Sequence, residues 1–199
     1  MKNHKARFFT AAIIAAAPSL VMGAFPLLGF APWERTSLEM LALVAVIYSA
    51  VHVFFALLIM VVSRKVNALL PSIMLGVLVG GAIGLPLATA MRMEGYDRAG
   101  ERATPLIHAV EAYIEKTGAP PQHLDLLVPD FIDPLPAGIP PFKIVTGPKA
   151  VEGFYQNDWA LVFGAGSGLN WDALVYLPRQ NYEEIESKTL LGSWAYLHE

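Results

Sequence analysis

MLALVAVIYSAVHVFFALLIMVVS, residues 40–63, is a run of twenty-four residues without one charged side chain. Fourteen of them are Leu, Ile, Val or Phe. Near a helix centre each such residue favours insertion by roughly −0.3 to −0.6 kcal/mol, so the run favours the bilayer by about −4 to −8 kcal/mol. A helix needs about 20 residues to cross a hydrocarbon core of ~30 Å. Apart from a closed barrel, only a helix satisfies its backbone there, and the alternation a barrel strand needs is absent. The stretch is therefore expected to be a transmembrane helix. Two further charge-free windows flank it, at residues 8–30 and 68–91. A three-span anchor over residues 1–91 is expected, followed by a water-facing domain over 92–199.

Composition separates the two halves. The chain has 199 residues, 55% hydrophobic and 16% charged, where ordinary globular chains carry about 25% charged residues. Residues 1–91 carry a net charge of +4, and residues 92–199 a net charge of −7. The acidic balance of the second half argues against nucleic acid as a partner, since phosphates need basic groups to neutralise them. Cysteine is absent, which excludes disulfides, zinc thiolates, Fe–S clusters and thiol catalysis. No cofactor is expected.

Basic flanks set the expected orientation. Lys2, Lys5 and Arg7 precede the first window, and Arg64 and Lys65 follow the second. Between the first two windows Arg35 stands against Glu34 and Glu39. The N-terminus is then cytoplasmic, and the chain from Arg92 onward lies outside, on a multi-pass protein of the plasma (inner) membrane. A basic start before an apolar run is also how a signal peptide reads, and that alternative stays open.

Small residues recur every fourth position in the third window: Ser72, Gly76, Gly80, Gly84 and Ala88. This spacing makes a groove into which a second helix can fit. The partner helix is either one of the other two spans or a second protein, by self-association or with an envelope component. In the second window Tyr48 and His52 lie one turn apart. An ionisable side chain within a membrane is a functional candidate, and a transport or relay role for His52 is the alternative to a structural hydrogen bond.

Beyond residue 91 the apolar pattern becomes one-sided. Tyr96, Ala99, Ala103, Leu106, Ile107, Val110, Tyr113 and Ile114 recur at steps of three and four, which predicts an amphipathic helix. Thr104 is expected as N-cap of a fresh start at Pro105, and Gly118 as the helix stop. A short helix is expected at 122–127, and a proline-rich crossing at 129–141. Alternation predicts strands at 142–145, 158–163, 171–177 and 193–198, with a glycine-rich hairpin loop at 164–170. The second domain is thus expected to be α+β, an amphipathic helix packed on a small antiparallel sheet.

The order of these features resembles type IV pilins and the pseudopilins of type II secretion. The residues that carry it are AVEAY at 109–113, Gly118 with Pro120 and Pro121, LDLLVP at 124–129, and Asp133, Pro134, Leu135 and Pro136. It covers about residues 71–136. The resemblance implies a pilin-like domain that docks on other proteins. No prepilin cleavage motif accompanies it. Gly29, Phe30 and Glu34 are the nearest match, interrupted by Pro32 and Trp33 and ahead of the wrong span. A fixed envelope component is therefore expected rather than a filament subunit.

Catalytic signals are sparse. His108 and Glu111 sit three apart with Glu115 a turn beyond, which is more simply a solvated helix face than a metal site. Ser167 between glycines lacks the spacing of a nucleophile elbow. Asp158, Asn170 and Asp172 are candidate calcium ligands at the hairpin. Trp159, Trp171 and Trp194 read as core residues, or as binding aromatics if they face solvent together. A non-enzymatic interaction protein is the leading expectation. A ligand-binding or sensing module is the alternative, and a transporter or enzyme using His52 or His108 is the third reading.

Overall fold

The computed structural model describes residues 2–34, 37–63, 69–166 and 171–198. Arg35, Arg64, Lys65, Ser167 and Asn170, on which parts of the sequence reading rest, lie outside them. The chain forms two compact units: Met1–Ala24 with Arg35–Arg92, and Phe25–Glu34 with Met93–Glu199.

Three helices supply the first unit: α1 (Lys2–Leu28), α2 (Ser37–Ser63) and α3 (Leu69–Arg102). Among the described residues these are the helices long and apolar enough to cross a membrane, with candidate spans of 25, 19 and 33 residues. Glycine decides how closely α1 and α3 approach. Gly76 stands against Phe8, Gly80 against Ala12 and Gly84 against Ala16, all backbone contacts. A Cβ added to Gly84 would lie 2.9 Å from the Ala16 Cα, and one added to Gly23 would lie 2.6 Å from the Ala88 carbonyl oxygen. The partner numbers rise together, so α1 and α3 run parallel. On another side of α3, Gly81 meets Val46, and the Ser49 hydroxyl donates to the Met74 sulfur at 3.6 Å. There the numbers run in opposition, so α2 is antiparallel to α3. The glycines of the four-residue repeat are thus spent on a helix of the same chain.

The outward faces are apolar. Phe9, Ile13, Ile14, Val44, Ile47, Phe54, Phe55, Val79 and Ile83 are all exposed. A bundle dissolved in water would show the opposite pattern, because contiguous exposed apolar surface of this extent is unfavourable there.

The second unit takes in the chain just after α1. Gly29, at a φ of 81°, turns the chain out of that helix. Trp33 is buried, and its carbonyl accepts a hydrogen bond from the Tyr96 hydroxyl at 2.5 Å. Gly95 and Pro26 touch backbone to backbone. Arg102 donates to the Gly138 carbonyl at 3.1 Å, which fixes the proline-rich crossing to the end of α3.

Helix α4 (Thr104–Thr117) follows after Ala103 alone. The expected N-cap is corrected by one position: Ala103 occupies it with no side-chain cap, and Thr104 is already helical. Pro105 supplies the break, because it lacks the N–H an unbroken helix would require. Gly118 stops α4 at a φ of 80°, with its N–H bonded to the Ile114 carbonyl at 2.8 Å. Without a Cβ, glycine takes this left-handed conformation at little cost.

Among the described residues the sheet has five antiparallel strands, where sequence alternation suggested three or four. They are β1 (Lys143–Thr146), β2 (Trp159–Gly164), β3 (Ala173–Tyr176), β4 (Lys188–Leu191) and β5 (Trp194–Leu197), in the order β1-β2-β3-β5-β4. Between β1 and β2 lies a short helix α5 (Pro148–Gly153) that the sequence did not announce. One sheet face, with Leu161, Phe163, Leu174, Tyr176, Trp194 and Tyr196, packs with Tyr96, Ala99, Leu106, Ile107 and Val110 from α3 and α4. The other face carries Ala160, Val175, Leu177 and Ala195, covered by Tyr182 and Ile185. Period-two alternation sorts these two sets, as strand geometry demands.

Candidate binding groove

The residues between β3 and β4 form a strap over the second face of the sheet. Small side chains there, Ala160 and Ala195, leave room for it. Two polar clusters hold it down. The Tyr182 hydroxyl accepts from the Leu177 N–H at 2.9 Å and donates to the Ser193 carbonyl at 2.8 Å. Asn157, fully buried, accepts from the Arg179 N–H at 3.0 Å and donates to the Asn181 side chain at 2.8 Å and the Phe154 carbonyl at 2.7 Å. Asn181 in turn donates to the Tyr155 carbonyl at 2.7 Å. Buried amides are tolerated when paired in this way. Lys188 turns its ammonium onto the carbonyls of Ile185 and Glu183, at 2.6 and 3.5 Å.

Strand register then gathers the groove. Ala173 pairs with Leu197, and Leu197 with Lys188. The start of β3, the end of β5 and the start of β4 therefore share one end of the sheet. Trp171, His198, Ser187 and Glu186 come together there, with Glu184 and Tyr155 completing an open groove of about 480 Å³. Trp171 is 83% exposed. Among the described residues neither Glu184 nor Glu186 has an ion-pair partner. A second concavity of about 370 Å³ lies beside the proline-rich crossing and is mainly apolar, lined by Leu106, Leu124, Leu135, Ile139 and Phe142 among others.

The three tryptophans do not share a surface. Trp159 and Trp194 are core residues, Trp194 stacked on Phe142 at 4.7 Å between centroids, while Trp171 faces solvent. Asp158 and Asp172 do not meet either. Leu161 pairs with Tyr176, which places Asp158 beside Arg179, its partner at 3.6 Å. Asp172 lies at the other end of the hairpin, buried, with its carboxylate accepting from the Tyr196 hydroxyl at 2.6 Å. The proposed calcium set therefore does not assemble, and no group of three His, Asp or Glu among the described residues could hold a metal. His108 and Glu111 form an exposed pair at 3.2 Å. Tyr48 and His52 have ring centroids 6.1 Å apart on α2, Tyr48 exposed and His52 partly buried.

Sequence reading named Trp171 and missed Glu184, Glu186, Tyr155 and His198. The run YEEIESK at 182–188 carries the acidic signal. Only the folding back of the strap shows that it belongs beside Trp171. No protein family, curated protein or solved structure matches the chain.

Burial holds the Tyr182 phenol well above its ordinary value of 10, and burial followed by the nearby Glu111 charge raises that of Tyr176. The fold thus keeps the neutral phenols. Their contribution to stability is full below pH ~10 and is lost as pH rises through the raised values. Tyr182→Phe leaves a Leu177 N–H and a Ser193 carbonyl without this partner. A loss of about 1–3 kcal/mol is expected, seen as an earlier urea midpoint. The alkaline fall in stability should also become shallower.

Proposed function

We propose that the chain is a three-span protein of the plasma (inner) membrane that displays a pilin-like α+β unit outside the cytoplasm as a module for binding another protein. The Trp171 groove is the observation that carries the interaction. A large indole is left in solvent on a unit whose other tryptophans are buried. Exposed aromatic side chains at concave sites are typical anchors for partners. The anchor is supported by the apolar outer faces of α1, α2 and α3, and by their alternating directions, which successive spans of one chain must have. The pilin likeness is supported by α4 leading through LDLLVP into an antiparallel sheet.

The anchor is tested by alkaline carbonate extraction and by a reporter, active only outside the cytoplasm, fused after residue 199. Retention in the membrane pellet and an active reporter are expected. The interaction is tested with a photo-crosslinking amino acid in place of Trp171, used in intact membranes. One discrete adduct is expected, missing when the probe replaces Lys149 instead. Identical patterns at the two positions would remove the groove from the argument.

A further inference from the structure

We propose that the groove receives an extended basic segment of the partner protein, an Arg or Lys side chain lying on the Trp171 indole with its charge held by Glu184 and Glu186. This rests on reading the second unit as an interaction module. The face of an indole is electron-rich and attracts cations. Among the described residues Trp171 makes no ring-stacking or cation–π contact, and its side chain is largely exposed. Glu184 and Glu186 line the same groove and have no ion-pair partner among the described residues. Of the nearby basic side chains, Lys188 at the start of β4 is directed to backbone carbonyls and Arg179 of the strap lies 3.6 Å from the Asp158 carboxylate. The groove, at about 480 Å³, falls within the ~300–1,000 Å³ of ordinary ligand sites. The net −7 of residues 92–199 draws a basic chain toward it.

Two observations favour a polypeptide over a lipid surface. Carboxylates beside the indole repel anionic headgroups. The groove also opens beside β4, an edge strand of the sheet. An extended segment laid along an edge strand gains backbone hydrogen bonds while its side chains enter neighbouring pockets. Ser187 and His198, at the end of the groove next to β4, add polar groups for such a backbone.

The experiment uses the full chain in nanodiscs of zwitterionic lipid. Capped pentapeptides Gly-Arg-Gly-Arg-Gly, Gly-Ser-Gly-Ser-Gly and Gly-Glu-Gly-Glu-Gly are titrated, with tryptophan fluorescence and calorimetry as readouts. The arginine peptide is expected to bind saturably and to weaken with salt, the other two at least tenfold less tightly. Trp171→Ala should weaken it about fivefold or more, and Trp171→Phe less. Glu184→Gln with Glu186→Gln should weaken it about tenfold and flatten the salt dependence. Equal binding of the three peptides would overturn the inference. So would an unaltered affinity in the paired glutamine variant, or no binding of the arginine peptide by folded protein. Binding of phosphatidylglycerol vesicles through Trp171, without peptide binding, would overturn it in favour of a membrane contact. In each case the cross-linking result at Trp171 judges the interaction module separately.

Discussion

Trp194→Ala is expected to cost the second unit about 3–5 kcal/mol, the range for deleting a large core aromatic. Domains are stable by only about 5–15 kcal/mol in total, so much of the α+β unit should unfold at room temperature. The residue is 1% exposed, stacks on Phe142, and lies 5.3 Å from the Tyr176 ring. Gly100 in α3 has no side chain, and a Cβ there would sit 2.6 Å from the indole. Helix and sheet are therefore shaped around this one ring. Near-ultraviolet circular dichroism during urea titration reads the effect. Trp171→Ala serves as the control, expected within about 0.5 kcal/mol because its side chain is exposed. The indole N–H of Trp194 is buried with no partner among the described residues. Trp194→Phe should therefore cost less than its loss of volume implies, since it also removes an unsatisfied donor. Equal stability of the two alanine variants would contradict this account of the core.

Gly80→Leu is expected to be the most damaging substitution in the first unit, at about 3 kcal/mol or more, the upper end for overpacking. A Cβ at Gly80 falls on the backbone of Ala12, so no rotamer relieves the clash and α1 itself must move. In lipid, helix association depends largely on this kind of close van der Waals approach, because apolar side chains gain nothing by leaving one hydrocarbon for another. The effect should be graded. Gly80→Ala already overlaps Ala12, whereas at Gly84 the added carbon is tight at 2.9 Å. Ala82→Leu, on an exposed face of the same helix, should be nearly neutral. Thermal unfolding in detergent would rank the four variants. A Gly80→Leu protein melting with the parent would mean that α1 and α3 do not pack through this repeat.

The three long helices were readable because lipid imposes a simple rule: twenty or more residues without charge. Gly118 was readable because a left-handed stop after an amphipathic run has few other occupants. Strand β4 was not, because KTLL is too short for alternation to register and its partner β5 follows after only Gly192 and Ser193. PKAVEG carries turn residues at both ends, which hid α5. Alternation placed Trp171 in a strand with Ala173 and Val175, yet β3 begins at Ala173 and leaves the indole outside the ladder. The groove depends on a strap returning across the sheet through Tyr182, Asn157 and Asn181. Long-range hydrogen bonds of that kind leave no periodicity to find.

Trp33 and its neighbours bear on how the protein can be dissected. A soluble fragment cut to begin at residue 93 would lack ten residues of its own unit, among them the buried Pro26 and Trp33 and the carbonyl that receives the Tyr96 hydroxyl. Such a fragment would expose a vacant seat and tend to aggregate. Supplying residues 25–34 as a separate peptide, or splicing them ahead of residue 93 through a flexible tether, should restore solubility by complementation. The second unit is thus made of two pieces separate in the sequence, and any expression strategy has to keep both.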